Sequence, residues 1–300
     1  MAILHDVPDN DYPYLFRAAD KASLEGQRSY VQTTRTRLLL LGGAALTGVF
    51  SWTVEWGEIG PINVPALFGV LAFVLTLVLE LDTWKNRPDK SWYDGRAVAE
   101  SAKTLIWKFA VGGNPFPAPL EEVDAMRALL KRMKSIREKF LDLELHPVQA
   151  PEISDWMLVL RRSSFEHRRQ SYLEARIDQQ KKWYSDKARL NKRQAERWRL
   201  VLIILELSGV GISLAAALSL DLTQIAAAIA ALVTGVLAWT QTKQYDFNYR
   251  AYSAALSDLT SAEAKLSLAD TEESWAREVD DAEEAISREH VVWLATRSSL

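Results

Sequence analysis

The sequence predicts an all-α membrane protein built from two tandem transmembrane helical hairpins, four spans in all, with long cytoplasmic helices. Three observations lead to this prediction: where the apolar residues lie, which charges flank them, and how regularly they recur elsewhere. The averages conceal the pattern, because 48% hydrophobic residues, 25% charged residues and a net charge of −3 are typical of a soluble globular chain. Cysteine is absent, which excludes disulfides, thiolate metal sites and cysteine nucleophiles.

Four stretches of the chain carry almost no charge, and each is about long enough to cross a hydrocarbon core of roughly 30 Å. They cover residues 38–54, 62–81, 200–220 and 222–241. Buried helices of soluble proteins rarely run this long without a polar stripe, so membrane spans are the favoured interpretation. Short links at 55–61 and Asp221 pair the stretches into two hairpins. Trp52, Trp56 and Trp239 lie near span ends, as in aromatic belts.

The charges around these hairpins predict their orientation. Both connecting loops are acidic, through Glu55, Glu58 and Asp221, and they hold no basic residue. The outer flanks of the spans are basic and contain Arg28, Arg35, Arg37, Lys85, Arg87, Lys90, Lys192, Arg193, Arg197, Arg199, Lys243 and Arg250. The positive-inside rule therefore places the N-terminus, the C-terminus and the central region in the cytoplasm.

The rest of the first module, residues 1–150, is predicted to be helical. Helical spacing and the breaks between periodic segments predict helices over residues 13–37, 91–110 and 120–145. Arg96 and Glu100 are four residues apart on the second of these helices, which is the spacing of an ion pair. The proline-containing linker 146–151 marks the boundary to the second module, residues 151–300.

A second long helix is expected to start at an N-cap, Ser154, and to run through residue 208 into the third span. No glycine or proline interrupts this stretch. One stripe on the helix combines aromatic and polar side chains at helical spacing, namely Tyr172, Arg176, Gln180, Trp183 and Lys187. Together with Arg96 and Glu100, these residues are the candidate contacts among the cytoplasmic helices.

Charge is distributed unevenly along the second module. Residues 161–199 contain 13 basic and five acidic residues, whereas residues 243–300 contain six basic and 12 acidic residues. The opposite net charges predict that the helix entering the membrane packs antiparallel to the helical region leaving it. This complementarity explains the basic run without a nucleic-acid partner, and no such partner is expected. Membrane-proximal Arg193, Arg197 and Arg199 could also meet anionic headgroups.

No sequence feature indicates catalysis, and the chain is predicted not to be an enzyme. The four histidines lack the spacing of metal ligands, and neither a phosphate-binding loop nor a zinc-protease motif occurs. Paired acids could bind a cation, although a solvated helix face is the simpler interpretation; these pairs are Glu272/Glu273, Asp280/Asp281 and Glu283/Glu284. No catalytic, cofactor-binding or metal-binding residue is therefore assigned, and no cofactor is expected.

The spans hold the candidate functional residues of the membrane part. Glu206 is the one acid inside a span, since Glu80 lies at the interfacial end of the second, and with Ser213 and Thr234 it is a candidate pore-lining residue. A carboxylate inside a membrane usually faces water or a bundle interior. The alternative is a neutral or snorkelling glutamate that bonds near Gln241. Small residues that recur at four-residue spacing are candidates for close helix packing, within an assembly or within each hairpin: Gly209, Gly211, Ala231 and Gly235.

Two sets of motifs resemble a known family. The first starts at residues 12–20 and continues after the first hairpin with Trp92, Arg96, Glu100, Lys103, Trp107 and residues 113–116. The second contains Tyr172, Arg176, Gln180, Trp183, Lys187, Asn191, Trp275, Glu284, Ser287, Glu289 and Trp293. In order and spacing they are similar to two classes of the SLATT superfamily, the SMODS- and SLOG-associating two-transmembrane effectors, placed in tandem over nearly the whole chain.

This resemblance implies a bacterial or archaeal conflict-system protein of the inner membrane. It implies a pore-forming or membrane-disrupting effector. Because four spans per chain can build a pore only by oligomerising, we expect an oligomeric pore or channel, gated through its cytoplasmic helices. Its partners would be the lipid bilayer, further copies of itself, and a nucleotide-signalling or sensor protein encoded nearby. No catalytic residues come with the family. The alternative function is a non-conducting membrane scaffold or sensor that docks a cytoplasmic partner.

Overall fold

In the computed structural model, the chain is described over residues 6–218 and 221–297, and this part is almost wholly helical. Its α-helices are α1 (Tyr14–Thr47), α2 (Val64–Asn86), α3 (Pro88–Val111), α4 (Glu122–Lys139), α5 (Asp155–Arg161), α6 (Phe165–Tyr172), α7 (Gln179–Ala217), α8 (Thr223–Lys243), α9 (Tyr245–Leu268) and α10 (Glu272–Arg297). A π-helical segment, Leu173–Asp178, lies between α6 and α7. Two short strands, β1 (Thr53–Glu55) and β2 (Pro61–Asn63), pair antiparallel. The predicted all-α class is confirmed, apart from this small hairpin.

Packing divides the chain into two compact units. The first, here called the helical unit, comprises the described residues of Met1–Gln27, Asp89–Arg189 and Tyr249–Leu300. The second, here called the spanning unit, comprises Arg28–Pro88 and the described residues of Leu190–Asn248. Each unit draws on both halves of the sequence. The charged segments therefore pack in one unit and the apolar segments in the other. The predicted modules 1–150 and 151–300 divide the sequence and do not coincide with these two units.

The breaks between helices have local causes. Arg87 adopts a left-handed conformation with φ of 44° and ends α2, and Pro88 then opens α3, where a missing N–H costs nothing. Gly112 ends α3 with φ of +79°, a region that glycine enters without a steric penalty. The helix predicted over 120–145 is shorter than expected, because α4 ends at Lys139.

The second long helix is interrupted once, at residues 162–164. Ser163 there donates its hydroxyl to the carbonyl of Leu160 at 2.6 Å, a local bond that competes with the helical pattern. A new helix then starts at Ser164, whose hydroxyl accepts from the amide of His167. Ser154 occupies the predicted N-cap position, but its side chain makes no capping hydrogen bond. From Phe165 the chain remains helical to Ala217, so the predicted helical run into residues 200–217 of the third predicted span is present.

Helices α1 and α3 approach each other closely in the helical unit, at Gly95. A Cβ atom at this position would lie 2.8 Å from the amide nitrogen of Ser23 and 3.0 Å from the carbonyl oxygen of Ala19. The hydroxyl of Ser23 donates to the carbonyl of Trp92 at 3.1 Å, which fixes the same crossing. Only glycine therefore fits at residue 95 without moving one backbone away from the other.

We expect Gly95→Ala to lower the free energy of unfolding of the helical unit by about 1–3 kcal/mol, because overpacking forces backbone shifts. Denaturant unfolding monitored by circular dichroism measures this change. Gly69→Ala is the control, since nothing lies within 4 Å of a Cβ at that glycine of α2. Equal stability of the Gly95→Ala variant and the parent chain would contradict the close approach.

Within the spanning unit, helices pack through small residues and end charges. A Cβ at Gly43 of α1 would contact the ring of Phe68 on α2, and one at Gly42 would contact Leu232 on α8. Arg37 and Glu80 form an ion pair between α1 and α2. These contacts place the apolar part of α1 against α2 and α8.

Three helical stretches in the described part of the chain are long and apolar enough to cross a membrane: Val64–Val111, Phe165–Ala217 and Thr223–Leu268. The first predicted span, 38–54, is not among them, because α1 ends at Thr47 and the chain continues into a turn and β1. Residues 49–54 are rich in β-branched and aromatic side chains, which favour extended backbone. That preference ends the helix before the apolar stretch does. Residues 219–220 of the third predicted span lie outside the described residues.

Candidate functional site

A buried carboxylate, Glu283 of α10, lies at the centre of the helical unit. Each of its two carboxylate oxygens accepts two hydrogen bonds. Arg176 donates from Nε to Oε1 at 2.9 Å and from a terminal nitrogen to Oε2 at 2.8 Å. Tyr172 donates its hydroxyl to Oε1 at 3.0 Å, and Thr104 of α3 donates to Oε2 at 2.9 Å. We call these four residues the Glu283 network.

The Glu283 network is almost completely shielded from solvent. The side chains of Glu283 and Arg176 are 0% and 2% exposed. Burial alone would lower the pKa of Arg176, but the charge and hydrogen bonds of Glu283 outweigh it and hold this pKa above its ordinary value. Burial raises the pKa of Tyr172, and the nearby carboxylate raises it further. The arginine and the tyrosine therefore keep their protons, and the network is one fully bonded ion pair.

Aromatic side chains enclose the network. The ring centroids of Trp107 and Trp275 lie 5.9 Å and 5.8 Å from that of Tyr172. Each indole N–H also has a partner: Trp107 donates to the hydroxyl of Tyr12 at 3.0 Å, and Trp275 donates to the carbonyl of Val111 at 2.8 Å. The surroundings of the ion pair are thus apolar, with their polar atoms satisfied, so its electrostatic attraction is weakly screened.

The π-helical segment carries the arginine of this network. Tyr172 precedes the segment, Arg176 lies inside it, and α7 starts directly after it at Gln179. A π-helical turn has a wider helical repeat than an α-helix, and such turns occur frequently at functional sites. The irregular turn therefore coincides with the buried ion pair on the helix that continues to Ala217.

A second buried cation, Arg161, holds the loop after α3. Its two terminal nitrogens donate to four backbone carbonyls at 2.8–3.2 Å, those of Phe109, Phe116, Pro117 and Leu120. The guanidinium also lies 5.1 Å from the ring centroid of Phe109. Burial lowers the pKa of Arg161, and the charge of Arg168 lowers it further. This arginine acts as a structural clamp, since its guanidinium donates to backbone carbonyls of four residues around the loop.

The contacts that the sequence predicts among the helices outside the spans divide into two groups. Tyr172 and Arg176 join the Glu283 network. Trp183 forms the other group, because the guanidinium of Arg96 and the ammonium of Lys187 lie 5.9 Å and 5.6 Å from its ring centroid. Cations at this distance from an indole are attracted by its negative face. The remaining two predicted residues, Gln180 and Glu100, are half-buried in the same unit.

The basic and acidic segments of the second module are in contact, as their charges predict. Lys181 binds Glu263 at 2.5 Å, and Trp183 packs on Tyr252 at 5.2 Å, so α9 runs antiparallel to the start of α7. The acidic region then reverses direction. Arg168 pairs with Glu272 and Arg176 with Glu283, so α10 runs parallel to the helix that carries these arginines. The predicted antiparallel packing therefore applies to α9 and not to α10.

The candidate pore-lining residues all lie on the surface of the spanning unit. Glu206 and Ser213 of α7 and Thr234 of α8 are exposed in the single chain. Glu206 and Ser213 are seven residues apart and share one face of α7. The hydroxyl of Thr234 donates to the carbonyl of Ala230 at 2.9 Å, which satisfies its donor within the helix. The carboxylate of Glu206 and the hydroxyl of Ser213 are thus exposed on one face of α7 in the single chain.

The four candidates for close packing differ in their surroundings. A Cβ at Gly209 would lie 3.4 Å from the side chain of Ile229, so this glycine lies in the contact between α7 and α8. Gly211 and Gly235 have nothing within 4 Å of a Cβ, and Ala231 is half-buried. Of the three glycines, Gly209 is the one whose Cβ would contact the other helix of the hairpin.

Three buried residues of the network and the clamp were not predicted from the sequence. Glu283 was predicted to lie on a solvated helix face, which is wrong, and the burial of Thr104 and Arg161 was not anticipated. A signal for Glu283 exists in the sequence: it lies on the same stripe as Trp275, Val279 and Ile286, which are all buried. An acid on an apolar stripe indicates a buried partner of opposite charge. Among the described residues, no group of three or more histidine, aspartate or glutamate side chains is arranged to hold a metal ion.

Comparison with protein families gives two adjacent matches. A family model described as SMODS and SLOG-associating 2TM effector domain 3 (SLATT_3) matches residues 13–169. A second, described as SMODS and SLOG-associating 2TM effector domain 1 (SLATT_1), matches residues 172–293. No curated protein and no solved structure matches the chain. The boundary between the two matched domains falls at residues 170–171, immediately before the tyrosine of the Glu283 network.

Proposed function

The chain belongs to the SLATT superfamily as a tandem of two effector domains, and we propose that it is an oligomeric, pore-forming membrane effector of a prokaryotic conflict system. The proposal assigns it no catalytic step and no cofactor. Its cytoplasmic helices hold the pore closed until a nucleotide signal or a sensor protein encoded nearby shifts them.

The exposure of Glu206 carries the proposal. This carboxylate lies on the apolar part of α7 and faces away from the other helices of its own chain. An acid that faces hydrocarbon is expensive, and acids within membranes nearly always line water or pack against protein. Further copies of the chain, arranged so that the face with Glu206 and Ser213 surrounds an aqueous path, remove this cost. A ring of carboxylates favours cations.

The rest of the spanning surface supports self-association. On this surface, α7 carries Gly211 and α8 carries Gly235, and at both glycines no atom of the chain lies within 4 Å of where a Cβ would be. Small residues let helix backbones approach closely in lipid. One chain with four spans is too small to enclose a channel, so a pore requires several copies.

Four spans with both termini in the cytoplasm belong to the same proposal. The ion pair Arg37–Glu80 and the first ladder pair Thr53–Asn63 bound stretches of nearly equal length, 37–53 and 63–80, which differ by one residue. The amides of Gly48, Val49 and Phe50 still bond to carbonyls of the preceding turn, as a segment in hydrocarbon requires. Residues 37–53 therefore extend over about the same distance as residues 63–80 of the neighbouring segment, although α1 ends at Thr47. The basic outer flanks set the orientation.

The Glu283 network supports a gating role for the cytoplasmic helices. The arginine of the network lies in the π-helical segment that opens α7, and α7 continues into the third span. A ligand or partner that binds better to a rearranged network shifts the helix population toward that state. Because the helix is continuous, a change of its first turns moves the segment that carries Glu206.

Purified protein in dye-loaded vesicles and planar bilayers tests the pore. We expect cation-selective conductance, and we expect Glu206→Gln to lower the ratio of cation to anion permeability several-fold. Glu196→Gln is the control, an exposed acid on the same helix ten residues nearer the cytoplasm. Absence of leakage and conductance with every nucleotide and partner tried contradicts pore formation. Unchanged selectivity in Glu206→Gln removes the carboxylate ring.

One observation favours a second function, a non-conducting scaffold or sensor that docks a cytoplasmic partner. An open groove of about 310 Å³ between α9 and α10 is lined by Asp258, Glu278, Asp281 and Glu284 with one base, Lys265. Its charge suits a basic partner segment. Two results together identify the scaffold. A partner binds the parent chain tightly and the Asp281→Lys variant weakly, and vesicles that contain the protein do not leak when the partner is added.

A further inference from the structure

The hairpin between α1 and α2 is an amphipathic ribbon. Its register pairs Thr53 with Asn63, Val54 with Ile62 and Glu55 with Pro61. The ladder extends by one bond at each end, from the amide of Trp56 to the carbonyl of Gly60 at 3.0 Å and from that of Val64 to Trp52 at 2.9 Å. Residues 52–56 and 60–64 therefore form one continuous two-stranded ribbon.

The two faces of this ribbon differ in chemistry. Successive side chains of a strand point to opposite faces, and directly opposed residues share a face. Trp52, Val54 and Trp56 therefore lie on one face together with Ile62. The other face carries Thr53 and Glu55, with Asn63 opposite Thr53. We call the first of these the aromatic face.

The aromatic face is uncovered by the rest of the chain. Trp52 is 63% exposed and Trp56 is 62% exposed, and Val54 between them is also exposed. Two large exposed indoles on one small surface need a partner, because soluble surfaces rarely leave such residues together in water. Indole rings, with an apolar body and a polar N–H, prefer the level of lipid headgroups.

The position of the ribbon in the chain indicates which partner covers the aromatic face. Helix α2 starts at Val64, the last residue of the ribbon, and exposes Leu67, Leu71 and Phe73 along its length. The ribbon thus leads directly into a helix whose exposed apolar side chains are suited to lipid. Residues 51–63 contain Glu55 and Glu58 and no basic residue, which keeps the opposite face in water.

We propose that the aromatic face binds the lipid headgroup region of the non-cytoplasmic leaflet, with the ribbon lying flat in the bilayer interface and the polar face toward water. The inference rests on the proposed membrane spans and extends them. The ribbon anchors the outer end of the first hairpin. A lipid interface, and not a second copy of the chain, covers the indoles.

The absence of cysteine makes a labelling test direct. Single cysteines are introduced as Trp52→Cys, Val54→Cys, Trp56→Cys, Thr53→Cys and Glu55→Cys, and each is labelled with an environment-sensitive fluorophore in phosphatidylcholine vesicles. We expect probes at 52, 54 and 56 to be quenched at least twice as strongly by spin-labelled lipid as probes at 53 and 55. Iodide in the external solution should quench the five probes in the reverse order.

Two outcomes with the five ribbon probes overturn the inference. Equal quenching by iodide along all five positions shows a ribbon in water, and protection of 52, 54 and 56 from both quenchers shows a protein partner. A sixth probe, Phe73→Cys on α2, separates the inference from its premise. Lipid quenching at residue 73 without alternation in the ribbon refutes the ribbon alone, whereas no lipid quenching at residue 73 refutes the span and the ribbon together. Neither readout depends on conductance.

Discussion

Glu283→Gln is expected to destabilise the helical unit by about 3–5 kcal/mol, the cost of leaving a buried arginine without its charged partner. Arg176 is 2% exposed and has two hydrogen bonds to this carboxylate, so water cannot replace the lost charge. Denaturant unfolding followed by circular dichroism, on protein in detergent, measures the change as a lower midpoint.

The next residue supplies a matched control for this prediction. Glu284 has the same chemistry and charge but is exposed on α10. Glu284→Gln should leave the unfolding midpoint close to that of the parent chain, because exposed charges contribute little. The double variant Arg176→Met with Glu283→Leu should recover part of the loss, since it leaves no uncompensated charge in the core. Equal effects of the two single glutamine variants would refute the buried ion pair.

Arg161→Met is expected to cost about 3 kcal/mol or more, because it leaves four carbonyls without their donor. Those carbonyls belong to the end of α3 and to the loop before α4. Thermal unfolding and limited proteolysis measure the effect, and we expect the first cleavage site to move into residues 109–120. The loss therefore has a predicted location as well as a predicted size.

The adjacent arginine again provides the comparison. Arg162 pairs with Glu122 at 2.5 Å on the protein surface, with 62% of its side chain exposed. Arg162→Met should leave both the unfolding temperature and the cleavage pattern unchanged within error, because solvent screens an exposed pair. If Arg162→Met destabilises as much as Arg161→Met, Arg161 is not the clamp of this loop.

Much of the architecture is predictable from local sequence. Hydropathy and length identify the apolar helices of the second hairpin, since crossing about 30 Å of hydrocarbon demands roughly 20 apolar residues in a row. Pro88 and Gly112 mark helix boundaries through their own backbone preferences. The motif order over the whole chain led to the SLATT superfamily, and the two domain matches confirm it.

Local rules were less successful where two preferences compete. The stretch 38–54 is apolar enough for a span throughout, yet its last residues favour extended backbone, and α1 ends at Thr47. The long helix predicted from Ser154 breaks at residues 162–164, where a serine hydroxyl bonds to the preceding turn. In both places, neither hydropathy nor the absence of proline indicates that the backbone leaves the α-helical conformation.

By itself the sequence determined which segments are apolar, which are charged, and where the family motifs lie, because these properties depend on neighbouring residues. The tertiary structure decided which member of each like-charged pair is buried. Glu283 and Glu284, like Arg161 and Arg162, are one residue apart, and on a helix this places them about 100° apart around the axis. That rotation puts one side chain in the core and the other in water. Which of the two faces inward depends on Thr104, Tyr172 and the loop carbonyls, which come from distant parts of the chain.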